Sequence, residues 1–240
     1  MASISFIIPA YNEERLLGRT LRALDDVART LDDHVEVVVV DDASTDRTAV
    51  IAHEHGARVV AVKCRHIAAT RNAGARDANG EILVFVDADT IVTEVTVRAA
   101  VAAIRGGAVG GGCAFRFDGR VPLYGRVLAA VVVPLYRRLG LASGCFLFCT
   151  RDAFQAAGGF DEKLFAAEEV AMSQALRRQG RFVILRESVT TSGRKLRAYS
   201  GLEALGFMLR LALAGRKGVH RRDGLGTWYG KRRADPQSDA

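Results

Sequence analysis

This chain is poor in the residues that mark several protein classes. Its 240 residues include four cysteines, four prolines, five histidines and one tryptophan, and aromatics make up 7%. Cys64, Cys113, Cys145 and Cys149 form no CxxC pair and have no histidine at zinc-site spacing. This pattern argues against a disulfide scaffold and a zinc knuckle, and the four read as reduced core residues of a cytoplasmic protein. No window of 18 or more uncharged apolar residues occurs, so no spanning helix is expected. The start, MASISFIIPAYNEE, lacks the basic region and cleavage site of a secretory signal. Internal repeats and low-complexity segments are also missing.

Acidic charge is scarce in one place only. Residues 1–191 hold 23 basic and 23 acidic side chains, whereas 192–233 hold 11 basic and 2 acidic. The net charge of +7 therefore belongs to a C-terminal segment. A nucleic-acid face would interleave stacking aromatics among its cations, and Tyr199, Phe207, Trp228 and Tyr229 are too sparse for that. A phosphate-bearing ligand or an anionic membrane surface explains the segment at least as well, and no nucleic-acid partner is expected.

What the chain does have is apolar material, 49% of its residues, in short runs alternating with helical patterns. Strands are expected at 3–8, 36–40, 58–62 and 81–86. Helices are expected after Asn12 as cap, after Ser44 as cap and ending at Gly56, and over 66–78. This order predicts a mostly parallel sheet flanked by helices, with ligands at the carboxyl ends of the strands. The second half is less regular. Expected there are a strand at 109–117, whose glycines allow a close backbone or ligand approach, and an amphipathic or interfacial segment at 121–141. A strand at 145–149, a helix at 168–179, a strand at 182–185 and an apolar helix at 202–213 follow.

The polar clusters PAYNEE, DDASTD and DAD fall at strand ends. The last closes EILVFVDADTIV, where a buried run stops on Asp87 and Asp89 with only Ala88 between. Two carboxylates about 6–7 Å apart at a strand end call for a positive partner. A cation of the Mg²⁺ or Mn²⁺ type takes one or two protein carboxylates and completes its shell from phosphates and water, so a metal carrying a nucleotide diphosphate fits. Asp-x-Asp is common by chance, and its place after a buried strand is what gives it weight.

Blocks spanning 4–180 carry a resemblance: ISFIIPAYNEE, VVVVDDASTD, ATRNAGARDANGEILVFVDAD, SGCFLFCTRDAF with GGFDE, and EEVAMSQALRRQG. In order and spacing they resemble the inverting nucleotide-sugar glycosyltransferases of family 2, and the ending from TSGRK resembles small non-processive bacterial members. The resemblance implies a GT-A fold and transfer of a single sugar from a UDP- or GDP-type donor to an acceptor hydroxyl or phosphate. It implies Mg²⁺ or Mn²⁺ and leaves the acceptor open, a lipid-linked one included. A catalytic domain over 1–190 is implied, with a donor half at 1–92 and an acceptor half at 93–190, followed by a basic extension at 191–240. Pro9, Tyr11, Glu13, Asp41, Asp42 and Arg71 would line the nucleotide, Tyr11 packing on the base and Asp42 accepting from base or ribose. Asp87, Ala88 and Asp89 would hold metal and diphosphate. Gly144, Gly159 and Phe160 would form the acceptor side. Glu168 and Glu169 fall on the family's Glu-Asp pair, whose second acid is the base; this chain has Glu169 there, one methylene longer.

Physically, an inverting displacement needs such a base opposite the leaving nucleotide and a Lewis acid on the diphosphate. Read locally, Glu168 and Glu169 are also ordinary acids in a helix's first turn. Arg194 and Lys195 either reach the diphosphate or form a solvated basic face. Two other readings compete. A nucleotidyltransferase would carry a glycine-rich basic loop where this chain has PAYNEE. A non-catalytic protein, held weakly to the inner face of a membrane by its tail, would not need Asp87, Asp89 and Glu169.

Overall fold

In a computed structural model the described residues are 3–203 together with 206, 220 and 235. The expected cations Arg210, Arg216, Lys217, Arg221 and Arg222 lie outside them, as does most of 202–213; Leu202, Glu203 and Gly206 are helical.

The first half builds β1 (Ser3–Ala10), α1 (Leu17–Ala28), β2 (His34–Asp42), α2 (Thr48–Glu54), β3 (Arg58–Val62), α3 (Ile67–Asp77) and β4 (Ile82–Val86). Then come β5 (Thr90–Ile91), α4 (Glu94–Arg105), β6 (Gly110–Phe117), α5 (Leu123–Leu139), β7 (Phe146–Thr150), α6 (Arg151–Ala156), α7 (Glu168–Gln179), β8 (Phe182–Thr191) and α8 (Arg194–Ala198). The strands form one sheet in the order β3-β2-β1-β4-β7-β6-β8-β5. β3, β2, β1 and β4 run parallel, β7 is antiparallel to β4 and β6, and β6 is parallel to β8. The expected mostly parallel sheet is thus present, and it joins both halves of the 1–190 region.

Alternation along β1 divides the core. Phe6 and Ile8 face one side with Leu17, Leu21 and Leu24 of α1, while Ile7 faces the other with Val40, Phe85 and Leu147. α3 can lie close on that second face because Gly74 has no side chain. A Cβ there would stand 2.4 Å from the Ile7 side chain. Pro9 has no N–H to give, and it sits just beyond Ile7↔Phe85, the last pair between β1 and β4.

Several local expectations are corrected. Asn12 and Ser44 cap no helix. Asn12 adopts φ 51°, its N–H donates to Ser44 Oγ, and its Oδ1 accepts from the Thr45 N–H, so the two residues tie the β1 loop to the β2 loop. α1 starts only at Leu17. Of the two approaches expected at the β6 glycines, the structure has the close backbone one: a Cβ on Gly111 would collide with Val183 O and the Phe148 ring. Cys64 is exposed, while Cys113, Cys145 and Cys149 are buried and all four are free.

Candidate active site

The carboxyl ends of β1, β2, β3 and β4 meet along one edge. Among the described residues the four non-glycine positions with left-handed backbone all lie at that edge or at the start of α7: Asn12, Ala43, Arg65 and Ala167. Such conformations cost energy and collect where a site over-determines the chain.

β4 delivers Asp87 and Asp89, and each meets an arginine. Arg71, from the buried face of α3, donates to Asp87 Oδ1 at 3.0 Å, to Glu168 Oε1 at 2.6 Å and to the Gly144 carbonyl at 3.0 Å. Arg194, from α8, donates two bonds of 2.7 and 2.6 Å to Glu13 and lies 3.0 Å from Asp89 Oδ2. Asp89 also accepts from Thr191 Oγ1 at 3.4 Å. The bidentate fork locks Arg194 against the β1 loop. α8 therefore brings Arg194 into the crevice, and Lys195 acts electrostatically on both aspartates.

Burial pushes the Asp87 carboxyl above its usual range and the Asp89 carboxyl up to about 6, with Arg71 and Arg194 respectively opposing the rise. These two groups fit a divalent ion that brings its own remaining ligands. The Asp87 side chain is 34% exposed, which leaves it open to the crevice, and no third acid is needed where phosphates and water complete the shell. Among the described residues no cluster of three or more His, Cys, Asp or Glu surrounds them.

Glu168 and Glu169 begin α7, after Ala167 in left-handed geometry. Their environments differ. Glu168 is buried and held by Arg71. The Glu169 carboxyl lies beside Gly144, 3.9 Å from where a Cβ of that glycine would be. Burial, then repulsion from Glu168, raises its pKa well above the usual carboxylate range, and Arg71 only partly opposes this. One acid is committed to an ion pair and its neighbour is kept prone to hold a proton.

The expected acceptor-side residues gather around Arg71. Gly144 gives it a carbonyl, and Phe160 places its ring 5.3 Å from the guanidinium carbon. Phe160 is buried in the core rather than lining an open pocket. Its backbone N–H and C=O both pair with Asn72, which Gly159 permits at φ 76°.

On the nucleotide side the structure redistributes roles. Asp42 accepts from the backbone N–H groups of Cys64, Arg65 and His66 and from Thr70 Oγ1. Those four donors fill the acceptor positions of a carboxylate. Asp42 thus shapes the loop after β3, and Asp41 beside it accepts, among the described residues, from the Ser44 N–H at 3.3 Å. The loop carries a residue that sequence reasoning missed. Arg65 sets its guanidinium carbon 3.4 Å from the Tyr11 ring centroid, so it already stacks on the aromatic expected to pack on the base. Its signal was slight: a cation after the third strand, near the second strand's aspartates.

Strand ends bearing carboxylates, with an acid pair opposite of which one member is held by an arginine, fit a GT-A type α/β protein. Solved structures agree. The mannosyltransferase PcManGT from Pyrobaculum calidifontis, in complex with GDP-Man and Mn²⁺, has TM-score 0.67 and 21% identity, over 88% of this chain and 61% of that one. Staphylococcus aureus TarS 1–349 with UDP has TM-score 0.65 and 20% identity, over 79% and 60%. The family described as "Glycosyl transferase family 2" matches residues 5–153, and the chain belongs to it. Validoxylamine A glucosyltransferase of Streptomyces hygroscopicus subsp. jinggangensis is 38% identical over 128 residues, 50% of this chain and 30% of that protein. The 4,4'-diaponeurosporenoate glycosyltransferase of Staphylococcus haemolyticus is 42% identical over 94 residues, 36% and 24%. The match spans less than a third of the length of these curated relatives.

Proposed function

We propose that this chain is an inverting, metal-dependent glycosyltransferase that moves one sugar from a UDP- or GDP-type donor to an acceptor hydroxyl or phosphate. The observation that carries the reading is the division of labour at the start of α7. Glu168 is spent on Arg71, while Glu169 stands unclamped and raised in pKa beside Gly144. A carboxylate poised near neutral pH suits removal of a proton from an acceptor.

In this reading Glu169 accepts the acceptor proton, and Glu168 acts through Arg71 as a positioning residue. Arg71 neutralises Asp87 and fixes the Gly144 turn. Asp87 and Asp89 would hold Mg²⁺ or Mn²⁺, which when bound supplies charge stabilisation for the departing diphosphate. Arg194 and Lys195 add fixed positive charge at the same end. Tyr11, Arg65 and Asp41 form the base side, and Pro9 and Glu13 place the β1 loop. Association with the inner face of a membrane belongs to the reading too. No helix among the described residues is long and apolar enough to cross one.

The donor half is tested by titrating UDP and GDP into the protein with and without Mn²⁺. The metal is expected to strengthen one nucleotide's binding at least tenfold, and Asp89→Ala to remove most of that gain. Metal-independent binding of equal strength in both proteins would refute the assignment of Asp89.

A further inference from the structure

Among the described residues nothing covers the outer face of α5. Leu123, Val127, Val131, Leu135 and Leu139 are exposed, by 72, 56, 61, 47 and 49%, and Ala130 and Pro134 join them. Steps of three and four residues place these side chains on one stripe. The inner face holds the helix to the body: the Tyr124 hydroxyl donates to the carbonyls of Leu196 and Tyr199, and Gly125 packs under Leu196. Of the helix's residues only Gly125 is fully buried. A helix apolar around most of its circumference is ordinarily enclosed, and this one turns half of that surface to water.

Charge decides what covers it. Between Asp118 and Asp152 there is no carboxylate, while Arg120, Arg126, Arg137, Arg138 and Arg151 fall in the same interval. Arg126, Arg137 and Arg138 are exposed on the same helix: Arg126 and Arg137 flank the stripe, and Arg138, four residues after Pro134, falls on its C-terminal end. Pairing with the same face of a second copy would bring these arginines together with nothing on either helix to neutralise them. An anionic lipid leaflet answers both features: the stripe enters the acyl boundary, and the arginines extend to headgroup phosphates.

We propose that α5 is a membrane-surface helix that seats the protein on an anionic leaflet. One consequence rests on the glycosyltransferase reading. The C-terminal end of α5 is tied to α7, the helix that Glu168 and Glu169 begin: Arg177 donates to the Leu139 carbonyl at 2.8 Å, and just beyond α5 the Ala142 N–H donates to Ser173 Oγ at 3.0 Å. The acceptor side then opens next to the leaflet, and the acceptor is an amphiphile whose polar group sits at the lipid surface.

The test is co-sedimentation of the full chain with phosphatidylglycerol–phosphatidylcholine vesicles and with phosphatidylcholine alone, at low and high salt. The protein is expected to pellet with the anionic vesicles at low salt, at least tenfold more than with the neutral ones. Val131→Glu/Leu135→Glu is expected to abolish pelleting with an unchanged melting temperature, and Arg126→Ser/Arg138→Ser to weaken it severalfold. A chain that stays in the supernatant overturns the proposal. So does equal pelleting of the Val131→Glu/Leu135→Glu variant, which would move binding elsewhere on the chain. A dimer in the ultracentrifuge that this variant converts to monomer would assign the stripe to a second copy. Lipid binding is read without donor, so its failure leaves the sugar-transfer reading standing, and inactivity on every donor leaves the lipid result standing.

Discussion

Glu169→Gln is expected to lower turnover by roughly 10² or more while donor binding stays within about twofold, the pattern of losing a general base. Glutamine keeps the size of the side chain and removes its ability to take a proton. The pH profile supplies a second readout. Glu169's raised pKa keeps it protonated in mild acid, so the wild-type rate should climb as pH rises through the neutral range and the base ionises. In Glu169→Gln that rising limb should disappear. Glu168→Gln should act differently, because Glu168 serves Arg71. It is expected to disturb stability and donor affinity and to preserve the pH limb. If Glu168→Gln abolishes the limb and Glu169→Gln keeps it, the roles are reversed.

Arg71→Ala is expected to be the most damaging single change to the fold. The guanidinium is 3% exposed and joins Asp87, Glu168 and the Gly144 carbonyl across three separate parts of the chain. Removing one partner of a buried pair costs about 3–5 kcal/mol, because the carboxylates left behind lose their counter-charge. The pH dependence has a definite sign. Arg71 opposes the rise of the Asp87 pKa, so its loss raises the folded-state value further. A group with a raised folded pKa gains folded-state stability as pH falls. The gap in melting temperature between wild type and Arg71→Ala should therefore be widest at neutral pH and narrow in acid. Arg71→Met combined with Glu168→Gln should recover part of the loss; no recovery would mean that packing, rather than charge, dominates at this position.

Much of the scaffold was legible because burial writes a local pattern. β3 and α7 fall where the sequence places them, and β2 extends its valine run by two residues at each end. Features made by distant partners were not legible. Asn12 and Ser44 look like caps, and each instead finds the other 32 residues away. Asp42 looks like a ligand contact until the loop of Cys64, Arg65 and His66 folds onto it. The acid pair was visible in sequence, but its asymmetry depends on Arg71, 97 residues earlier than Glu168. β8 was seen only in part, since its exposed Arg186 and the register shift between Cys113 and Ala114 interrupt the pattern that would have extended it. α4, with Val97, Ala100 and Val101 on its buried face, was not expected, although its Thr93 cap and spacing stand in the sequence.

The most direct measurement is product analysis after incubating the protein with a panel of UDP- and GDP-sugars and Mn²⁺. The account predicts release of the nucleoside diphosphate from at least one donor, suppressed by EDTA and by Glu169→Gln. Pyrophosphate as the product, or diphosphate release unaffected by EDTA and retained in Glu169→Gln, would contradict it.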